Sequence, residues 1–152
     1  MKKSKKTVYY RRKRDGVTNY KKRLKLLLSD KLRLVVRKSL NNIAAQVIEY
    51  NEKGDLIILS AHSSQLKKIG WNYPCGNLPS AYLTGLLLGK KANEKKIKEA
   101  ILDAGMHKPT NGSKIYAVVS GVLDAGINIP CSKEVLPTGE RIAGKHIENY
   151  AS

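Results

Sequence analysis

Residues 32–62 read LRLVVRKSLNNIAAQVIEYNEKGDLIILSAH, and this stretch decides the fold. Leu32-Arg33-Leu34-Val35-Val36-Arg37-Lys38 is rich in β-branched residues and lies between Asp30-Lys31 and the turn-forming Ser39-Leu40-Asn41-Asn42, which predicts a strand. Residues 43–50 predict a second strand and residues 55–62 a third. They are joined by Asn51-Glu52-Lys53-Gly54, whose glycine suits a positive φ. Three strands with connections this short make an antiparallel three-strand meander.

Downstream, residues 60–71 leave the third strand and predict one helical turn capped by Ser63 or Ser64, before a loop over 72–78. Pro79 stands where a first helical turn tolerates it, opening a helix to about Lys91 that is apolar on every face. Gly85 and Gly89 in that helix permit close packing against a neighbour. Residues 93–104 stay open between two readings. Ile97, Ala100, Ile101 and Ala104 fit helical spacing, while 98–103 fits a short buried strand equally well. After a breaker-rich loop, Ser113 is expected to cap a helix over 114–125 ending at Gly126. Residues 127–130 then predict an edge strand, and residues 140–150 a polar terminal helix carrying Arg141, Lys145 and His146.

Upstream of the meander the character changes. Residues 1–38 hold 16 Lys or Arg against Asp15 and Asp30, which is +14 of the formal +17. Such a block repels itself and has little apolar surface to offset ordering, so an extended conformation is expected until a polyanion neutralises it. Tyr9, Tyr10 and Tyr20 are interleaved with Arg11, Arg12, Lys13 and Arg14, a pairing of stacking rings with phosphate binders that favours RNA. Extended, 25 residues reach on the order of 80 Å. Thr18-Asn19 resembles an N-cap for a short helix over 20–28, docked by a stripe of Leu24, Leu27 and Leu28. A solvated tail, an anionic-membrane patch and a nuclear address are the competing readings of this charge.

The whole length, 152 residues with 41 % hydrophobic content, suits one core plus an extension. Cys75 and Cys131 are too isolated for a zinc knuckle or a disulfide framework, and fit free thiols in a reducing cytoplasm. The leucines near the basic start are too few for a signal sequence. The longest apolar run, residues 81–89, is about half a bilayer span. A cytosolic protein without a membrane partner is the expectation.

Covalent chemistry finds little support. His62 beside Ser63 and Ser64 has no orienting carboxylate, and His107 and His146 have no partner at metal-ligand spacing. Asp103 and Asp124 are single acids, whereas two-metal sites need several acids converging. Neither a Walker pattern nor a dinucleotide fingerprint occurs, so no cofactor, metal or catalytic residue is expected. Binding groups remain. Arg37, Lys38, Ser39, Asn41 and Asn42 stand at one hairpin end, and His62, Ser63, Trp71 and Asn77 follow the third strand. Amides and hydroxyls at loop ends suit phosphates and 2′-hydroxyls, and an indole suits a base or ribose.

Several of these segments together resemble one family. Arg37-Lys38-Ser39, Ser60-Ala61-His62-Ser63-Ser64, Gly70-Trp71, Asn77-Leu78-Pro79-Ser80-Ala81-Tyr82-Leu83-Thr84-Gly85, Leu102-Asp103 and Asp124-Ala125-Gly126 are similar to large-subunit ribosomal protein number eighteen. The likeness is to its archaeal and eukaryotic branch, whose eukaryotic member is called protein five, and it runs over about residues 5–150. The resemblance implies an α/β fold: a ribonuclease-H-like mixed sheet, helices packed on it, and an extended basic N-terminal arm. It implies that residues 98–103 form a strand. It also implies binding to 5S rRNA in the central protuberance, contact with the large rRNA and neighbouring ribosomal proteins, and no catalysis. Arg11, Arg12, Lys13, Arg14, Asn19, Tyr20 and Arg23 match the family's RNA-contacting arm, and Arg37, Ser39, His62, Ser63 and Trp71 match its domain surface. The expected division is an arm over 1–30, a domain over 31–130 and a tail over 131–152. Many relatives continue past the position of Ser152, and the contacts of such an extension are not carried over. A magnesium-dependent RNA-processing nuclease using Asp103 and Asp124 is the alternative.

Overall fold

The computed structural model describes residues 8–145 and residue 148. Expectations that fall on residues 1–7, and on His146 and Tyr150 in the terminal helix, lie outside the described residues. The chain forms a four-stranded mixed sheet with helices packed on it. Its elements are helices α1 (Arg11–Arg14) and α2 (Tyr20–Leu27), then strands β1 (Arg33–Lys38), β2 (Ile43–Glu49) and β3 (Leu56–His62). A 3-10 helix (Ser63–Ile69) leads to α3 (Leu78–Glu94), β4 (Ile101–Asp103), α4 (Lys114–Asp124) and α5 (Gly139–Ala143).

The sheet order is β3-β2-β1-β4, with the first three strands antiparallel and β4 parallel to β1. The meander is therefore present at the places its residue pattern indicates. Strand alternation sends Leu34, Val36, Ile43, Ala45 and Val47 into a core closed by Leu88 and Ala92 of α3 and by Ile115, Val118, Val119 and Val122 of α4. The two helices approach closely because of glycine. A Cβ on Gly85 would lie 2.1 Å from the Val118 carbonyl oxygen, and one on Gly121 2.2 Å from that of Tyr82.

In the open stretch 93–104, α3 runs on to Glu94 and the strand reading holds for Ile101–Asp103, the one segment that forms β4. Lys96 takes φ 58° and turns the chain out of α3, after which the Ile101 amide donates to Leu32 O at 2.9 Å and starts the β4 ladder. The edge strand expected over 127–130 does not form. A single parallel bridge joins Asn128 to Glu99, and Pro130 has no amide with which to continue it. Ile127 and Ile129 are buried all the same, so their apolar character serves the core. Ser113 occupies the N-cap position of α4, but its hydroxyl makes no cap bond and is buried without a partner. In the C-terminal part, α5 is closed by Gly144 at φ 83°, which interrupts the longer helix expected there.

Candidate nucleic-acid interface

Because Leu34 and Val36 enter the core, Arg33, Val35 and Arg37 point to the opposite face of the sheet. Ala44 and Gln46 of β2, Ser60 and His62 of β3, and Asp103 of β4 share that face by register. Arg37, Ala44 and His62 are consecutive partners across three strands, which sets the guanidinium root and the imidazole roughly 10 Å apart.

At one end of this face sits a network of ion pairs. Arg33 is only 2 % exposed, and its Nη1 donates to Asp103 Oδ2 at 3.2 Å while Nη2 lies 2.8 Å from Asp55 Oδ2. The second contact is an ion pair without hydrogen-bond alignment, and Arg33 Nε has no partner. Asp55 also accepts from Arg23 Nη2 at 2.8 Å, which ties α2 to the sheet. Burial raises the pKa of Asp55, yet the adjacent guanidiniums of Arg23 and Arg33 together outweigh it and hold the carboxyl below its ordinary value. Arg37 Nη1 donates to the carbonyls of Val36 and Asp103, both at 2.9 Å, and lies over Gly105, where φ is +59° and a Cβ would come within 2.9 Å of the guanidinium carbon. Nearby, His107 has its pKa lowered by partial burial and then by the charges of Lys38 and Arg37.

Residues 8–30 are not extended throughout. Arg11–Arg14 forms one helical turn, Arg12 Nε donates to Thr18 Oγ1 at 2.9 Å, and Asn19 caps α2 by accepting from the Lys22 amide at 3.0 Å. Lys22 Nζ reaches Gly105 O at 3.3 Å. Local hydrogen bonds and two acidic or carbonyl acceptors on the domain offset the self-repulsion that charge counting stresses. Arg11, Arg12, Lys13 and Arg14 are exposed, and the Tyr10 and Tyr20 rings lie 5.4 Å apart at 53°. Lys13 Nζ sits 3.6 Å over the Tyr9 ring, a cation–π contact. The leucine docking of α2 is corrected. Leu24 and Leu28 are 60 % and 77 % exposed, while Leu26 and Leu27 are half-buried, and the Arg23–Asp55 ion pair with the Lys22 bond to Gly105 O makes the polar attachment.

The second group of expected residues divides. Asn41, Asn42 and Asn77 line one groove of about 820 Å³ with Ser64, Lys67, Asn72, Tyr73 and Lys114. Gly76 makes this groove possible, since a Cβ there would lie 2.7 Å from Leu40 O and push the 72–77 loop off the hairpin turn. Residue-by-residue reading missed Lys67, Asn72, Tyr73 and Lys114, for which the loop-to-turn packing gives no local signal. Ser39 and Asn42 hold the turn together, the Ser39 amide donating to Asn42 O at 2.8 Å. Lys38 is exposed at the end of β1. Asn77 Oδ1 accepts from the Ser80 amide at 2.8 Å as the N-cap of α3. Ser63 is fully buried and cannot meet a ligand. Its hydroxyl accepts from the Ile43 amide at 3.0 Å and faces Asn42 Oδ1 at 3.3 Å. The cap expected from Ser63 or Ser64 belongs to His62, whose Nδ1 accepts from the Ser64 amide at 3.2 Å while Gln65 Oε1 accepts from the His62 amide at 3.3 Å. Trp71 is half-buried, edge-on to Tyr73, with Nε1 directed at Pro74 O at 3.4 Å.

The two acids of the nuclease alternative lie apart in role. Asp103 is buried against Arg33 and Arg37 and accepts the Gly105 amide at 2.8 Å, whereas Asp124 is exposed and accepts from Tyr82 Oη at 2.9 Å. Among the described residues no three His, Cys, Asp or Glu side chains gather as a metal site. No helix among them is long and apolar enough to cross a membrane.

Comparison with known proteins identifies the family of the chain. The family described as "Ribosomal large subunit proteins 60S L5, and 50S L18" matches over residues 4–99 and 90–132. A protein of Methanococcus maripaludis named large ribosomal subunit protein uL18 is 54 % identical over 144 residues, covering 95 % of this chain and 75 % of that protein. The resemblance drawn from the Asn77 to Gly85 run and its companions is thus met by independent matches along most of the chain, and the chain belongs to the family of ribosomal large subunit proteins 60S L5 and 50S L18.

Proposed function

We propose that this structural constituent of the large ribosomal subunit binds 5S rRNA in the central protuberance, contacts the large rRNA as well, and meets neighbouring ribosomal proteins there. The observation that carries the reading is the sidedness of charge. α2, attached through Arg23, lies on the sheet face that also carries Arg37 and His62, opposite the face covered by α3 and α4. RNA laid along that face meets the arm's cations and tyrosines first, then the open row of Arg37, Ala44 and His62. The groove of Asn41, Asn42 and Asn77 offers amides to phosphates and 2′-hydroxyls beyond the hairpin end. In this reading residues 1–30 act as the arm, 31–130 as the rRNA-binding domain and 131–152 as the tail. The strand order β3-β2-β1-β4, continued by the Glu99 to Asn128 bridge, supports a ribonuclease-H-like topology.

Filter binding of the full chain to a 5S transcript tests the proposal. With about eight phosphates neutralised, log K falls against log salt with a slope of roughly −6 to −7. A slope near zero, or equal affinity for arbitrary RNA of the same length, would falsify it. Arg37→Ala and His62→Ala are each expected to weaken 5S binding by roughly threefold to tenfold while leaving binding to arbitrary RNA almost unchanged.

A further inference from the structure

We propose that the cleft between the 3-10 helix and α3 is a docking site for an acidic, aliphatic segment of a partner protein. Its walls are Leu66, Ile69, Trp71, Leu83, Leu86 and Leu87, and its volume is about 270 Å³. This is room for the side chains of a short peptide, below the size usual for cofactor pockets. The geometry comes from Gly70, which takes φ 97° as the C-cap of the 3-10 helix and swings Trp71 back so that its amide donates to Leu66 O at 3.0 Å. Ile69 is left 70 % exposed at the mouth.

Charge complementarity names the occupant. Residues 56–93 contain no Asp or Glu, and their four cations are Lys67, Lys68, Lys90 and Lys91. Lys91 is engaged with Ser60 O at 3.0 Å, while Lys67, Lys68 and Lys90 stand exposed, Lys90 on the cleft wall. An apolar floor with a cationic rim selects leucine-like side chains flanked by carboxylates. A second copy of this chain would bring the same lysines against themselves, which disfavours self-association. RNA is disfavoured by the aliphatic lining and by the Trp71 ring, which already packs edge-on against Tyr73 at 5.3 Å. The cleft also belongs to the helical side of the sheet, away from the arm.

Trp71 is the single tryptophan, so its emission reports on the cleft directly. The full chain is titrated with synthetic peptides of about twelve residues that alternate acidic pairs with leucine or isoleucine pairs, and with charge-matched peptides in which serine replaces the aliphatics. The expected result is a saturable Trp71 shift with the aliphatic set alone, weakened roughly tenfold by Ile69→Ser and also by Lys90→Glu. Ile69 and Lys90 are exposed, so these variants keep the fold, which a thermal melt verifies. Equal shifts with the serine peptides, displacement by an oligoribonucleotide, or a Trp71 shift that follows protein concentration without peptide would each overturn the proposal.

Discussion

Asp103 and Asp124 are the same residue type at two strand and helix ends, and their surroundings give them opposite sensitivities. Asp103 is a counter-charge to Arg33, a guanidinium with almost no access to water. Asp103→Asn leaves that cation with Asp55 as its one acidic neighbour, and a loss of about 3 kcal/mol in urea unfolding is expected. Asp124→Asn removes an exposed acceptor from Tyr82 and is expected to cost under about 1 kcal/mol. Equal losses would mean that the Arg33 network does not hold the sheet. The charge of Asp103 is legible as a conspicuous residue, but its partner is 70 positions away and no local pattern connects the two. Ser63 illustrates the same limit. A hydroxyl in a loop reads as ligand-facing until the fold buries it beneath the hairpin turn.

At the scale of elements, the three meander strands were legible because alternation and turn residues are local signals, as was the helix opened by Pro79 and packed through Gly85, whereas β4 fitted helical spacing equally well and 127–130 read as a strand that does not form. What covers an element is not local. The leucines of α2 have helical spacing, yet Leu24 and Leu28 face outward and the helix is held by Arg23 on Asp55. Leu24→Ser and Leu28→Ser are therefore expected to shift stability by no more than about 0.5 kcal/mol, a result that leucine docking would not allow. The same contact makes the helix acid-sensitive. Asp55 has a lowered pKa in the folded protein, so its contribution is complete above the ordinary carboxylate range and is lost as pH falls below about 4. Below that pH the amides of α2 are expected to lose protection relative to those of α3, and Arg23→Ala is expected to produce the same loss already at neutral pH. Because both Arg23 and Asp55 are partly exposed, the pair contributes on the order of 1 kcal/mol.

For the molecule as a whole, the arm proposed over residues 1–30 holds two kinds of cation, those before α2, which among the described residues pair with no acid of the domain, and Arg23 of α2, which pairs with Asp55. Residues 1–18 carry eight Lys or Arg against Asp15, and none of these cations among the described residues pairs with an acid of the domain. Removing them is expected to leave the thermal midpoint within about 2 °C while flattening the salt slope of 5S binding by several units, at roughly 0.7 to 0.9 per lost phosphate contact. Removing residues 1–30 also takes Arg23, Leu26 and Leu27 from the sheet face and uncovers the buried network of Arg33. That longer deletion is expected to lower the midpoint by about 4 °C or more as well, since it costs at least about 1 kcal/mol in a domain of this size. The pair of deletions separates two roles that a single deletion would confuse. If the shorter deletion already melts the domain, the arm belongs to the core; if the longer one leaves the melt unchanged, α2 is a passenger and the orientation of the arm toward RNA must come from the RNA itself.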